Sequence, residues 1–258
     1  PDRRATNRCR PGFAPLTTHT RTITERRDQL PDQPARRTID AALQLLAGTD
    51  ALIIDLRDNG GGSPVMVGYL GSAFAPAGAN IYNTFHSRQG TRSEAPLESY
   101  PTPRLTTPLY VLTSGRTGSA AEAFAYTLKY ARRATIVGEA STGAANPGGE
   151  IDAGDGFRVF VSFASPVSPI TGRNWEGSGV APDIAVDAGS ALDVARAAAL
   201  QTVLDHGMAG TAATDTRWAL EGLRAEAAPR QVALAGYAGA FGAVTVTARD
   251  GRLLLQRE

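Results

Sequence analysis

At 258 residues with 42% apolar side chains, the chain is long enough for one sizeable domain with a small appendage. Its 26 basic and 25 acidic side chains leave a net charge of +1, which makes no case for nucleic-acid binding, and no apolar run is long enough to span a membrane. A single cysteine, Cys9, excludes an intrachain disulfide, and nothing around it marks a nucleophile's site.

Residues 1–37 hold nine Arg, five Pro and four acidic residues without sustained periodicity, and read as an irregular N-terminal arm. The sequence begins at Pro1 and shows no signal peptide; it reads as a fragment, a processed form or an incomplete reading frame. His19 lies in this arm, where a lone histidine is ordinarily solvated. Thr38 to Ala47 predicts an amphipathic helix capped by Thr38. Ala51 to Leu56 predicts a buried strand. Arg57 to Ser63 follows, with three consecutive glycines (Gly60, Gly61, Gly62), and Pro64 suits the first turn of a helix running to about Phe74. Such a loop exposes backbone N–H groups that can hold an oxyanion or a phosphate. It lacks the Gly-Lys-Ser/Thr ending of a phosphate-binding P-loop and the spacing of a dinucleotide fingerprint. Ile81 to Phe85 predicts a strand, His86 a surface histidine, and Arg88 to Thr107 a turn-rich connection.

Leu109 to Thr113 predicts a second buried strand. The turn Ser114-Gly115-Arg116-Thr117-Gly118 leads to Ser119, and a helix is expected from Ala120 to Arg132. Ser119 therefore stands where a strand gives way to a helix, three residues before Glu122. Two readings stay open there. The pattern S-x-x-E is a capping box, and a serine at that point can also be a nucleophile beside N–H donors suited to a developing oxyanion.

Thr135 to Val137 predicts a third strand, Asp152 to Gly156 a turn, and Gly156 to Phe163 a further strand. The two carboxylates of that turn fall short of calcium-loop spacing, so no metal is assigned. Glu176 lies in a loop, Ile170 to Gly177. Ala191 to His206 predicts a helix capped by Ser190 and stopped by Gly207, with His206 favourable at its C-terminal end. A second helix is expected over Thr214 to Ala227. Two β runs, Ala243–Ala248 and Leu253–Leu255, joined by Asp250-Gly251, predict a hairpin. The expected organisation is an arm (1–37), a core (38–207), a helical linker (208–235) and the start of a small β module (236–258).

Four blocks resemble the C-terminal processing (tail-specific) serine peptidase family. They are similar to the branch with the interphotoreceptor retinoid-binding protein modules and the tricorn protease core. The blocks are Ile53 to Gly62, Thr113-Ser114 with Ser119 to Glu122, Arg133 to Glu139, and Asn174 to Gly177 running into Gly179 to Ile184. The resemblance spans roughly residues 38–200. It implies an α/β fold with a caseinolytic-protease/crotonase-like core of repeated strand-strand-helix units. It implies Ser119 as nucleophile, an oxyanion hole from the N–H groups of Ala120 and of Gly61 or a neighbouring glycine, and Glu176 as the residue that orients a histidine base. That histidine normally precedes the core, which makes His19 the candidate. Serine–lysine members carry their base 25 residues after the serine, at Ala144 here; Lys129 lies ten residues along the Ser119 helix, about 15 Å away. The resemblance implies no metal or organic cofactor, a peptide or protein substrate, and an extracytoplasmic location. The alternative is a non-catalytic binding module for apolar ligands or peptides on the same fold, distinguished by the lack of a base at Ser119. A crotonase-like thioester enzyme would need a coenzyme A site, and the sequence shows none.

Overall fold

The computed structural model describes residues 33–227 and 233–257; Cys9 and His19 lie outside them. The chain divides into two compact units, residues 1–220 and 221–258.

The first unit begins with α1 (Gln33–Leu45), β1 (Leu52–Asp55), α2 (Pro64–Ser72), β2 (Thr84–Ser87) and β3 (Gly90–Ser93). The centre follows with β4 (Leu109–Thr113), α3 (Ser119–Tyr130) and β5 (Thr135–Gly138). Then come β6 (Gly148–Gly154), β7 (Phe157–Ser162), β8 (Ala164–Val167), β9 (Ile184–Ala185), α4 (Ala191–Asp205) and α5 (Gly210–Ala227), the last running past the unit boundary.

The core is a parallel sheet in the order β1-β4-β5-β9. The strands β1, β4 and β5 are short, mostly apolar and buried, as a sheet covered on both faces requires, while the two-residue edge strand β9 is partly exposed. Alternation along each strand sorts the side chains. Leu52, Ile54, Leu109, Val111 and Ile136 face a layer built by α1, α2 and α3. Ile53, Tyr110, Leu112 and Val137 face α4, whose Ala191, Ala195, Ala199 and Val203 lie on one stripe. The small alanines let α4 approach the sheet closely.

Side-chain to main-chain bonds fix the loops around this sheet. Arg133 donates to the carbonyls of Phe74 and Thr107, at 2.8 and 2.7 Å, and Asp183 accepts the Ile136 N–H at 2.8 Å. Lys129 pairs with Asp183, so its ammonium is committed to the sheet edge.

Several boundaries differ from expectation. α1 starts at Gln33, and Thr38 lies inside it, its hydroxyl donating to Pro34 O at 3.0 Å. Ser190 is in helical geometry and makes no cap bond to α4; its hydroxyl donates to Asp187 Oδ2 instead. The strand expected at Ile81–Phe85 is displaced to Thr84–Ser87, where it pairs with both β3 and β8. β3, β6, β8 and β9 were not expected. The segment Gly148-Gly149-Glu150-Ile151-Asp152 is poor in β-formers, and cross-strand pairing with β7 supplies what propensity lacks. The turn expected over Asp152–Gly156 shrinks to Asp155-Gly156, both at positive φ as a tight hairpin demands.

In the second unit, β10 (Gly239–Phe241), β11 (Val244–Arg249) and β12 (Arg252–Arg257) form an antiparallel sheet in that order. Asp250 (φ 50°) and Gly251 (φ 71°) make the β11–β12 turn, as the Asp-Gly signal predicts. No described helix is long and apolar enough to cross a membrane.

Candidate active site

Parallel strands end on one side of their sheet, and loops leaving their C-terminal ends meet there. The loop after β1 holds the three glycines, the loop after β4 holds Ser119, and the loop after β5 holds Ala144.

The first two loops are stitched together by main-chain contacts. Thr117 Oγ1 donates to Leu56 O at 2.7 Å and Gly118 N to Asn59 O at 3.0 Å. Ser114 Oγ donates to Arg57 O, and Arg116 pairs with Asp58 at the surface. Arg57 itself is tied to Asp55 at 2.6 Å and to Ala188 O. The loops approach so closely that a side chain on Gly61 would meet Ser119 Cβ at 2.8 Å, and one on Gly118 would meet Gly60 O at 3.0 Å. Gly61 also has φ 130°, a conformation that side chains rarely adopt.

Ser119 begins α3, is exposed, and has φ 49°. A non-glycine residue in that region carries about 1–3 kcal/mol of strain and persists only where its surroundings hold it. Glu122 is the holder. Its Oε2 accepts the Ser119 N–H at 2.8 Å. The carboxylate side of the capping box is thus present, while Gly118 is the N-cap and the Ser119 hydroxyl makes no hydrogen bond among the described residues. The Ala120 N–H, in the first helical turn, has no intrahelical acceptor.

Glu122 does more than the capping pattern predicts. It is completely buried and accepts three further hydrogen bonds, all from the loop after β5. Ser141 Oγ and Gly143 N donate to Oε1, both at 2.6 Å, and Ala144 N donates to Oε2 at 2.9 Å. The Ser119 and Ala144 amides therefore share one carboxylate oxygen, which brings Ala144 beside the candidate nucleophile. Ser141 Oγ in turn accepts from Val180 N at 2.7 Å. The sequence signals Glu122 through S-x-x-E, whereas nothing in it marks Ser141.

Glu176 extends the clamp. Its Oε2 accepts the N–H groups of Ala145 and Asn146, each at 2.8 Å, and Gly177 N donates to Gly143 O at 2.8 Å. Beside it, Trp175 is buried and packs on Tyr126 of α3, ring centroids 5.1 Å apart. Glu176 Oε1 carries no hydrogen bond among the described residues. Neither described histidine bonds Ser119: His86 is exposed on β2, and His206 caps the C-terminus of α4. His19 lies outside the described residues. Gly61 donates its N–H to Asn59 Oδ1 at 3.0 Å, while the N–H groups of Gly62 and Ala120 make no hydrogen bond among the described residues.

Gly61→Ala tests the close approach. The added methyl group is expected to push Ser119 out of line and to slow any reaction at its hydroxyl by about tenfold or more, with the α3 helix signal in circular dichroism retained. An unchanged rate would show that the loops can part without consequence.

Comparisons with known proteins place the chain among peptidases by sequence and fold. The C-terminal processing peptidase of the chloroplast of Tetradesmus obliquus is 31% identical over 149 residues, covering 54% of this chain and 29% of that protein. A putative peptidase from Parabacteroides merdae shares the fold with a TM-score of 0.53 at 22% identity, over 67% of this chain and 59% of its own. Mature CPAF gives a TM-score of 0.53 at 17% identity, over 70% and 50%. The chain thus spans between 29% and 59% of the length of these relatives. The family model for peptidase family S41 matches residues 24–186, reaching into the arm that the four motif blocks leave out, and the chain belongs to that family.

Proposed function

We propose that this chain carries the nucleophile and oxyanion site of a serine peptidase that cleaves peptide bonds. The observation that supports it most is Ser119 itself: exposed, at positive φ, its hydroxyl unengaged among the described residues, and its backbone held by a buried carboxylate. Ser119 Oγ adds to the scissile carbonyl carbon and its proton passes to a base. The carbonyl oxygen becomes an oxyanion facing the Ala120 N–H and a donor of the glycine loop. That donor is Gly62, whose N–H makes no hydrogen bond among the described residues, or Gly61 once it leaves Asn59 Oδ1. Collapse breaks the C–N bond, the base returns its proton to the leaving amine, and water repeats the sequence to free the acid. Glu176 keeps Oε1 to orient an imidazole, and His19 is the candidate for it. Residues 38–207 form the catalytic core, in the caseinolytic-protease/crotonase arrangement; 208–235 form a helical linker and 236–258 begin a small β module.

The second reading, a binding module for apolar ligands or peptides, is favoured by one fact: neither described histidine bonds Ser119. A fluorophosphonate probe separates the two, because only an activated serine reacts with it. Labelling that disappears in Ser119→Ala supports the peptidase, and His19→Ala and Glu176→Ala then assign the base. Folded protein that takes up no probe overturns it in favour of binding.

A further inference from the structure

The β6–β7 hairpin stands apart from the core sheet, hydrogen-bonded to no third strand among the described residues. Its register places Ile151 opposite Val159 and Gly149 opposite Val161. Side chains alternate, so the two faces differ sharply. One carries Glu150, Asp152 and Arg158, with Arg158 paired to Glu150 at 3.0 Å, and a single apolar side chain, Phe160, 61% exposed. The other carries Ile151, Phe157, Val159 and Val161, and Phe163 continues the series just past β7. It is bare: these five are 55%, 71%, 50%, 43% and 63% exposed.

A lone two-stranded hairpin is marginal in water, and an exposed apolar patch of this size marks an interaction surface. We propose that the apolar face of β6–β7 is a dimer interface, covered by the same face of a second copy of this chain. The size fits. With aromatic side chains of about 200 Å² each, the five exposed groups bring roughly 500 Å² per copy, so about 1,000 Å² for a symmetric pair, where specific interfaces begin. The breadth fits as well. The patch is two strands wide, whereas one extended peptide offers a single row of side chains to it. A second copy offers an identical apolar face, and a two-fold axis lets each patch cover the other. No charged strand residue lies on the apolar face, since Glu150, Asp152 and Arg158 all stand on the opposite one.

This proposal does not rest on the peptidase reading, and its test does not use Ser119. Sedimentation velocity across the micromolar range is expected to show a dimer of the full chain. Val159→Asp or Ile151→Asp, each on the apolar face, is expected to give monomer with unchanged far-ultraviolet circular dichroism. Phe160→Ser, on the opposite face, is expected to leave the dimer intact. A monomeric wild type, a dimer that survives both aspartates, or dissociation by Phe160→Ser to the same degree would each overturn the proposal.

Discussion

Replacing Glu122 by alanine is expected to destabilise the chain by about 3–5 kcal/mol and to cut any reactivity of Ser119 at least tenfold. The carboxylate accepts from Ser119 N, Ser141 Oγ, Gly143 N and Ala144 N, and its side chain is wholly buried. Its removal leaves donors that water reaches poorly, each unsatisfied group costing about 1–3 kcal/mol. It also releases the restraint that keeps Ser119 at φ 49°. The backbone there would relax toward ordinary helix geometry and swing the hydroxyl away from the Ala120 N–H. Urea unfolding measures the first effect and probe-labelling rates the second. Glu122→Gln keeps one acceptor oxygen but turns an amide nitrogen toward donors, so it should fall between alanine and wild type in both. A Glu122→Ala protein as stable and as reactive as wild type would show that the clamp does not hold the nucleophile.

Glu94 gives the second large effect, this one dependent on pH. It follows β3, is 4% exposed, and accepts from Asn83 Nδ2 at 2.7 Å. Burial pushes its carboxyl up to about 7, against the opposing pull of the Asn83 bonds and of Arg92. The folded state therefore binds this proton more tightly than the unfolded chain does. Stability is full below the unfolded value near 4.5, declines as pH rises between that value and about 7, and is flat above it. The shift corresponds to a loss of about 3 kcal/mol across the window. Glu94 Oε1 and Asn83 Oδ1 are both buried without a partner among the described residues; a proton on the carboxyl is the kind of donor such a pair lacks. Glu94→Gln should abolish the slope, leaving stability unchanged near pH 4.5 and raised by about 3 kcal/mol at pH 8. Thermal or urea unfolding at both pH values checks this, and a variant that follows the wild-type slope would refute it. Tyr82 feels the same site, its phenol pushed to about 12 by burial and then by the Glu94 charge.

Three strands of the parallel core, β1, β4 and β5, were legible because they are buried on both faces, whereas the two-residue, partly exposed β9 was not. Runs such as Leu109–Leu112 and Leu52–Ile54 are continuously apolar, and the glycines, Pro64 and Gly118 punctuate their ends. β6 was not legible, since its strand form comes from pairing with β7 and not from its own residues. Ser119 and Glu122 carried a local signal in S-x-x-E, but that pattern describes a single helix turn. The bonds from Glu122 to Ser141, Gly143 and Ala144 cross 19 to 22 residues of sequence, and no local pattern encodes them. Glu176 shows the same limit. Its position in a loop was readable, and its bonds to Ala145 and Asn146 were not. Ser190 and Thr38 had cap-forming side chains, yet the helix begins before Thr38 and the Ser190 hydroxyl prefers Asp187.

The loop after β5 behaves like a strip pinned at nearly every step. Thr142, Gly143, Ala144, Ala145 and Asn146 each have their N–H fixed, by Thr117 O, by Glu122 or by Glu176. All of these pins grip the main chain, and none of them reads the side chain at Ala144, which is exposed. Inserting or deleting one residue would put every pin out of step, whereas exchanging the residue at 144 would disturb none. This part of the molecule is therefore strict about length and, at position 144, indifferent to composition. New chemistry can be introduced beside Ser119 by substitution alone, with the surrounding framework left as it is.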